Sequence, residues 1–115
     1  MANMDLNCTF KFAASHFLPN YNGQCENLHG HNYKIIITVS GEVKKDGLVV
    51  DFKEIKRIVN EQAINNLDHK HLNDIIENPS SENIAIWIWN QVKNNLLLKK
   101  IAVFETEDCY VEYYG

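Results

Sequence analysis

The sequence predicts an α+β domain, ordered ββααββ, with a four-stranded antiparallel sheet and two helices on one face. Three observations lead there. An alternating stretch and a β-branched run occupy the first 41 residues, two capped helical segments follow, and residues 101–114 return to short strands.

Residues 8–17 read as the first strand. Cys8, Phe10, Phe12 and Ala14 share one parity, Thr9, Lys11 and Ser15 the other, and His16 extends the apolar parity. Pro19-Asn20-Tyr21-Asn22-Gly23 is a turn by composition. From His31 the chain runs into Ile35-Ile36-Ile37-Thr38-Val39, a β-branched strand ending near Gly41, and Asp46-Gly47 marks the next turn. Asp51-Phe52-Lys53-Glu54 is a capping-box pattern. Behind it Phe52, Ile55, Ile58, Val59, Gln62, Ala63 and Leu67 recur at helical spacing. Asn78-Pro79-Ser80-Ser81 opens a second helix, with Ile84, Ala85, Ile88, Val92 and Leu96 as its buried stripe. Residues 101–107 and 109–114 close the chain as two short strands, read as a hairpin. No repeat, low-complexity segment or linker interrupts this order, so residues 1–115 are expected to form one domain.

Composition narrows the function. Hydrophobic residues make up 45% and charged residues 23%, which fits a soluble globule and not a disordered chain. A net charge of -4 and no basic face argue against nucleic acid, and any anionic substrate must be gripped locally. No apolar run approaches the roughly 20 residues that span a bilayer. The opening Met-Ala-Asn-Met-Asp-Leu-Asn lacks the basic and apolar blocks of a secretory leader. Three cysteines are too few and too odd for a disulfide framework, so a cytoplasmic setting is expected. A domain this small buries about two-thirds of its unfolded surface, so completion by oligomerisation is also expected.

The chemistry centres on His29-Gly30-His31. In a strand, residues two apart point to the same side, so both imidazoles can reach one ion, with Gly30 expected to keep the site uncrowded. If the first two strands pair as a hairpin, His16 returns toward them. Three neutral imidazoles with an open fourth position make a catalytic zinc arrangement; the alternative is three separately hydrogen-bonded histidines. Cys25, four residues before His29, is either a fourth, structural ligand or a thiol activated as base or nucleophile. Glu26 is a solvated loop acid or, beside a metal, a second general base. Asp68-His69, ahead of Lys70-His71, is either a solvated helix end or an oriented acid/base pair. Glu105 shares the parity of Ile101 and Val103, and both its oxygens would be satisfied by the adjacent N–H groups of a guanidine-like edge.

The whole chain resembles the 6-pyruvoyl-tetrahydropterin synthase and 6-carboxytetrahydropterin synthase family. The resemblance is carried by Phe12-Ala13-Ala14-Ser15-His16, Cys25-Glu26-Asn27-Leu28-His29-Gly30-His31, Val50-Asp51-Phe52, Leu67-Asp68-His69, Asn78-Pro79-Ser80-Ser81-Glu82-Asn83 and Phe104-Glu105-Thr106, in the family's order and spacing. It implies the tunnelling fold (T-fold), assembled as trimers paired into homo-hexamers with active sites between subunits. It also implies Zn2+ on His16, His29 and His31, Cys25 as base, Asp68 and His69 as acid/base relay, and Glu105 with Thr106 at the pterin. The implied reaction converts 7,8-dihydroneopterin triphosphate to 6-carboxy-5,6,7,8-tetrahydropterin, a queuosine precursor, with loss of acetaldehyde and triphosphate. The short spacing from Cys25 to His29 resembles the carboxy-forming branch, whereas Glu26 resembles the branch that makes 6-hydroxymethyl-7,8-dihydropterin for folate. Pyruvoyl formation and a non-catalytic zinc or pterin-binding module complete the alternatives.

Overall fold

A computed structural model describes residues 2–19 and 27–115. Strands β1 (Asn3–His16) and β2 (His29–Glu42) form one long antiparallel ladder, from Asn3 opposite Glu42 to His16 opposite His29. On β1 the buried set is Cys8, Phe10, Phe12, Ala14 and His16, so the expected alternation holds. The strand starts five residues earlier than its apolar pattern, at Asn3 and not at Cys8. Polar cross-strand bonds accompany that early part: Thr38 donates to Asn7 Oδ1 at 2.6 Å and Ser40 to Asp5 Oδ1 at 2.9 Å. Hydrophobic periodicity cannot register such pairs.

Helix α1 (Phe52–Val59) is capped by Asp51, whose carboxylate accepts the Lys53 N–H at 2.9 Å. The expected reciprocal bond from Glu54 is replaced by an ion pair with Arg57. Phe52, expected in the buried stripe, is 53% exposed. The helix continues through a π-helical turn (Asn60–Ile64) and a last α-turn (Asn65–Leu67). The wider turn adds one residue to the helical count, so Ala63, Ile64 and Leu67 are buried together. Helix α2 (Ser81–Val92) is capped by Ser80, whose hydroxyl accepts the Asn83 N–H at 3.1 Å; Pro79 lies just outside the cap. Ile84, Ala85, Ile88 and Val92 form the buried stripe, as expected, whereas Leu96, expected to extend it, is buried past the end of the helix.

Among the described residues the sheet has five strands, not four. Between the helices, β3 (Lys70–His71) runs parallel to Ala14 and Ser15, and a 3-10 turn (Leu72–Asp74) follows it. With β4 (Leu98–Phe104) and β5 (Tyr110–Tyr113) the order is β3-β1-β2-β4-β5, antiparallel except at β3. Two residues carry no periodicity, so β3 could not be seen beforehand. Phe10, Phe12, Ile35, Ile37, Ile101 and Val103 face Ile55, Val59, Ile84 and Ile88 in one core. Each such side chain contributes about 1.5–3 kcal/mol by burial. Among the described residues no helix is long and apolar enough to cross a membrane.

Candidate active site and metal centre

The β1–β2 ladder assembles the histidines. His16 ends β1 directly opposite His29, and His31 lies opposite Ala14, so all three side chains leave the same face of the sheet. Their potential ligand atoms lie within 4.8 Å of one another. The His16 ring is 1% exposed, with the His29 and His31 rings edge-on to it.

Backbone carbonyls set the tautomers. His16 Nδ1 lies 2.8 Å from the Pro79 carbonyl and His29 Nδ1 lies 2.9 Å from the Asn27 carbonyl. A carbonyl can only accept, so each Nδ1 carries the proton and each Nε2 keeps its lone pair. The two Nε2 atoms are 3.1 Å apart. Two lone pairs at that distance repel each other unless an electrophile lies between them. Carbonyl-bound Nδ1 atoms and converging Nε2 atoms are the pattern of metal-ligating histidines, so the residues present fit a divalent cation.

Glu105 lies just beyond β4. One carboxylate oxygen is 3.3 Å from His31 Nε2, and the other accepts a hydrogen bond from Ser81 Oγ at 3.1 Å. Ser81 is the first residue of α2, so the start of this helix and the end of β4 hold the carboxylate jointly. Glu105, Thr106 and Ser81 line a 350 Å³ cleft. Thr106 is exposed, and its hydroxyl accepts the Asp108 and Cys109 N–H groups within the β4–β5 turn.

Asp68 follows the last helical turn. Its Oδ1 accepts the Ala13 N–H at 3.0 Å and lies 3.0 Å from His69 Nδ1. The Ala13 N–H, and then His69, hold the Asp68 carboxyl below the usual carboxylate range. His69 donates its own N–H to the Ala13 carbonyl at 2.7 Å and takes φ 59°, a left-handed conformation that a side chain adopts at a cost. Its ring is 83% exposed. His69, His71 and His31 line a 480 Å³ cleft with Ala13, Ser15 and Asn32, which belong to the β1–β2 parity opposite the histidine trio.

Residues 5–115 match the sequence model of a family described as 6-pyruvoyl tetrahydropterin synthase. The chain belongs to that family. Among curated members, a Pyrococcus furiosus protein named dihydroneopterin monophosphate aldolase is 41% identical over 91 residues, covering 76% of this chain and 78% of the relative. An Archaeoglobus fulgidus protein provisionally named 6-carboxy-5,6,7,8-tetrahydropterin synthase is 39% identical over 110 residues, covering 95% and 94%. The structure of Caenorhabditis elegans 6-pyruvoyl tetrahydropterin synthase superposes with a TM-score of 0.86 at 25% identity, covering 100% of this chain and 97% of that one. The five-stranded sheet and its helices are thus the T-fold of this family.

Two residues of the pterin-synthase motif, Cys25 and Glu26, lie outside the described residues, as does most of the expected turn at residues 19–23. Gly30 does not relieve crowding within its own chain, because an added Cβ would meet nothing closer than the Ala14 carbonyl oxygen at 3.5 Å. Besides the Asn27 carbonyl at His29, sequence reasoning missed four contributors among the described residues. Tyr33 Oη, on a residue 1% exposed, lies 3.2 Å from His16 Nδ1; its parity with His31 was the available signal. Ser15 Oγ lies 3.1 Å from His71 Nδ1. The Pro79 carbonyl and the Ser81 hydroxyl come from the start of α2, where sequence pattern signals a cap and nothing about the site.

Proposed function

We propose that this chain is a zinc-dependent enzyme that converts 7,8-dihydroneopterin triphosphate and water to 6-carboxy-5,6,7,8-tetrahydropterin, releasing acetaldehyde and triphosphate. The convergence of His16, His29 and His31, with Nδ1 of the first two held by carbonyls, carries the reading. Zinc held by these residues would bind the side-chain oxygens of the substrate and acidify the carbon beside the ring. Cys25, as the thiolate, takes the proton from that carbon. Asp68 orients His69, and His69 moves protons at the side-chain hydroxyls. Glu105, positioned by Ser81, accepts the paired N–H groups of the pterin edge.

The site is completed between subunits of a homo-hexamer in this reading. The position of Asp68 and His69 at the Ala13 edge supports that, since the cleft there is lined largely by the parity opposite the histidine trio. Among the described residues, most of the outer edge of β1 also carries no paired strand and could meet another copy, since β3 pairs with Ala14 and Ser15.

A second reading is formation of 6-hydroxymethyl-7,8-dihydropterin. Glu26 beside Cys25 favours it, as does the aldolase name of the Pyrococcus furiosus relative. Mass spectrometry of the pterin formed from dihydroneopterin triphosphate separates the two. The lead reading expects the carboxy product, lost in Cys25→Ala. Hydroxymethyl product that survives Cys25→Ala and vanishes in Glu26→Ala installs the second reading. Neither product from the zinc-loaded protein overturns both.

A further inference from the structure

Tyr33 sits against the histidine trio and has no part in the proposed chemistry. It follows His31 by two residues on β2, so its side chain leaves the same face of the sheet, and it pairs with Phe12 on β1. The two rings stack, with centroids 5.0 Å apart and planes 18° from parallel. Phe12 belongs to the core, so the Tyr33 ring is fixed from behind. On its other sides it meets two of the candidate ligands. The His31 ring lies edge-on to it with centroids 5.5 Å apart, and the His16 ring at 5.9 Å and 87°.

The hydroxyl is the informative part. A phenol buried this deeply costs stability unless its oxygen is bonded, and phenylalanine would fill the same space without that cost. Tyr33 Oη lies 3.2 Å from His16 Nδ1 and 3.3 Å from His16 Nε2. Two nearly equal distances put the oxygen against the ring and in line with neither nitrogen. The in-line directions have other uses: Nδ1 gives its proton to the Pro79 carbonyl at 2.8 Å, and Nε2 converges on His29 Nε2. A single hydrogen bond at Nδ1 leaves an imidazole able to tilt about that bond. The Tyr33 hydroxyl meets the ring in the direction of the tilt. His29 lies outside this arrangement and is held by the Asn27 carbonyl.

We infer that Tyr33 is a positioning residue for the metal centre, holding the His16 ring with its hydroxyl and the His31 ring with its own ring. Two of the three ligands are thereby aligned by one side chain anchored in the core. The inference rests on the trio as a metal site, the part of the proposed function that concerns zinc, and not on the pterin. Outer partners of ligating imidazoles set ring orientation, and losing one costs about 10–100-fold in metal affinity.

Tyr33→Phe tests this, because it deletes the hydroxyl and keeps the ring. Zinc affinity, measured by competition with a chromophoric chelator, should weaken about tenfold. The melting temperature of the chelator-treated protein should stay within about 2 °C of the parent. The visible spectrum of the cobalt-loaded variant should shift from the parent's at equal occupancy, since it reports ligand geometry. Tyr113→Phe, whose ring packs on Trp89, should bind zinc as the parent does. Parental zinc affinity with a parental cobalt spectrum in Tyr33→Phe overturns the assignment. So does a lowered melting temperature at parental zinc affinity, which indicates a structural role alone. Zinc affinity that depends on the Tyr33 hydroxyl, in a protein that turns over no pterin, refutes the proposed reaction and supports the positioning role. A parent protein that binds neither zinc nor cobalt overturns both.

Discussion

If Glu105 anchors the pterin as proposed, Ser81→Ala separates that anchoring from folding. The Ser81 hydroxyl makes one hydrogen bond of 3.1 Å to Glu105, and its residue is 8% exposed. A hydrogen bond to a charged group is worth about 1.5–3 kcal/mol. The Glu105 side chain is 38% exposed, so solvent screens part of that value, leaving about 1 kcal/mol. Ligand affinity should therefore fall about fivefold. Stability should barely move, since Ser80 still caps the helix and alanine is the better helix former. Fluorescence titration with neopterin, which lacks the phosphate chain, reads the affinity, and a melting curve reads the fold. In a Glu105→Gln background the same substitution should cost nothing further, because the charged acceptor is gone. Full loss in that background, or unchanged affinity in Ser81→Ala alone, refutes the idea that Ser81 acts through Glu105.

Three further outcomes follow from the geometry. Purified protein should carry about one zinc per chain by elemental analysis, and His16→Ala should lose it; undiminished zinc in that variant refutes the ligand set. The folded-state pKa of Asp68 lies below its unfolded value, so its stabilisation is complete above pH about 4 and is lost as pH falls through the lower value. Melting temperature against pH should thus be flatter on the acid side for Asp68→Asn than for the parent, and parallel curves would contradict this. Gly30→Ala should hold stability within about 0.5 kcal/mol and keep its zinc, with a larger drop in a denaturant titration showing that the backbone there needs glycine.

Much of the fold was legible because its core obeys two simple periods. Phe10, Phe12, Ile35 and Ile37 alternate, and Ile84, Ile88 and Val92 recur at helical spacing, so burial writes itself into the order of residues. The additions to that outline have no such trace. The first five residues of β1 are joined to β2 partly by polar side-chain bonds, and β3 is too short for any pattern. Phe52 follows the helical period but sits at the first turn, where the helix has not yet reached the core. The histidines were legible for a different reason: strand parity forces His29 and His31 to one side, and hairpin pairing returns His16 to them. The supporting shell was hidden. Pro79 and Asn27 act through carbonyl oxygens, which every residue possesses, and Ser81 acts across 24 residues of chain.

The π-helical turn at Asn60–Ile64 sets where Asp68 and His69 fall. One residue of an α-helix subtends about 100° around its axis. If that turn closed to regular α geometry with its residue count unchanged, everything after it would rotate by roughly that angle. Leu67 would leave the core, and Asp68 would be carried away from the Ala13 N–H. The wide turn therefore acts as an angular offset between two rigid parts, letting a helix that packs on the sheet also deliver a carboxylate to its edge. A chain of the same length with a regular α-turn there could keep every side chain of the site and still be misassembled, with its fault more than three residues upstream of the pair that fails.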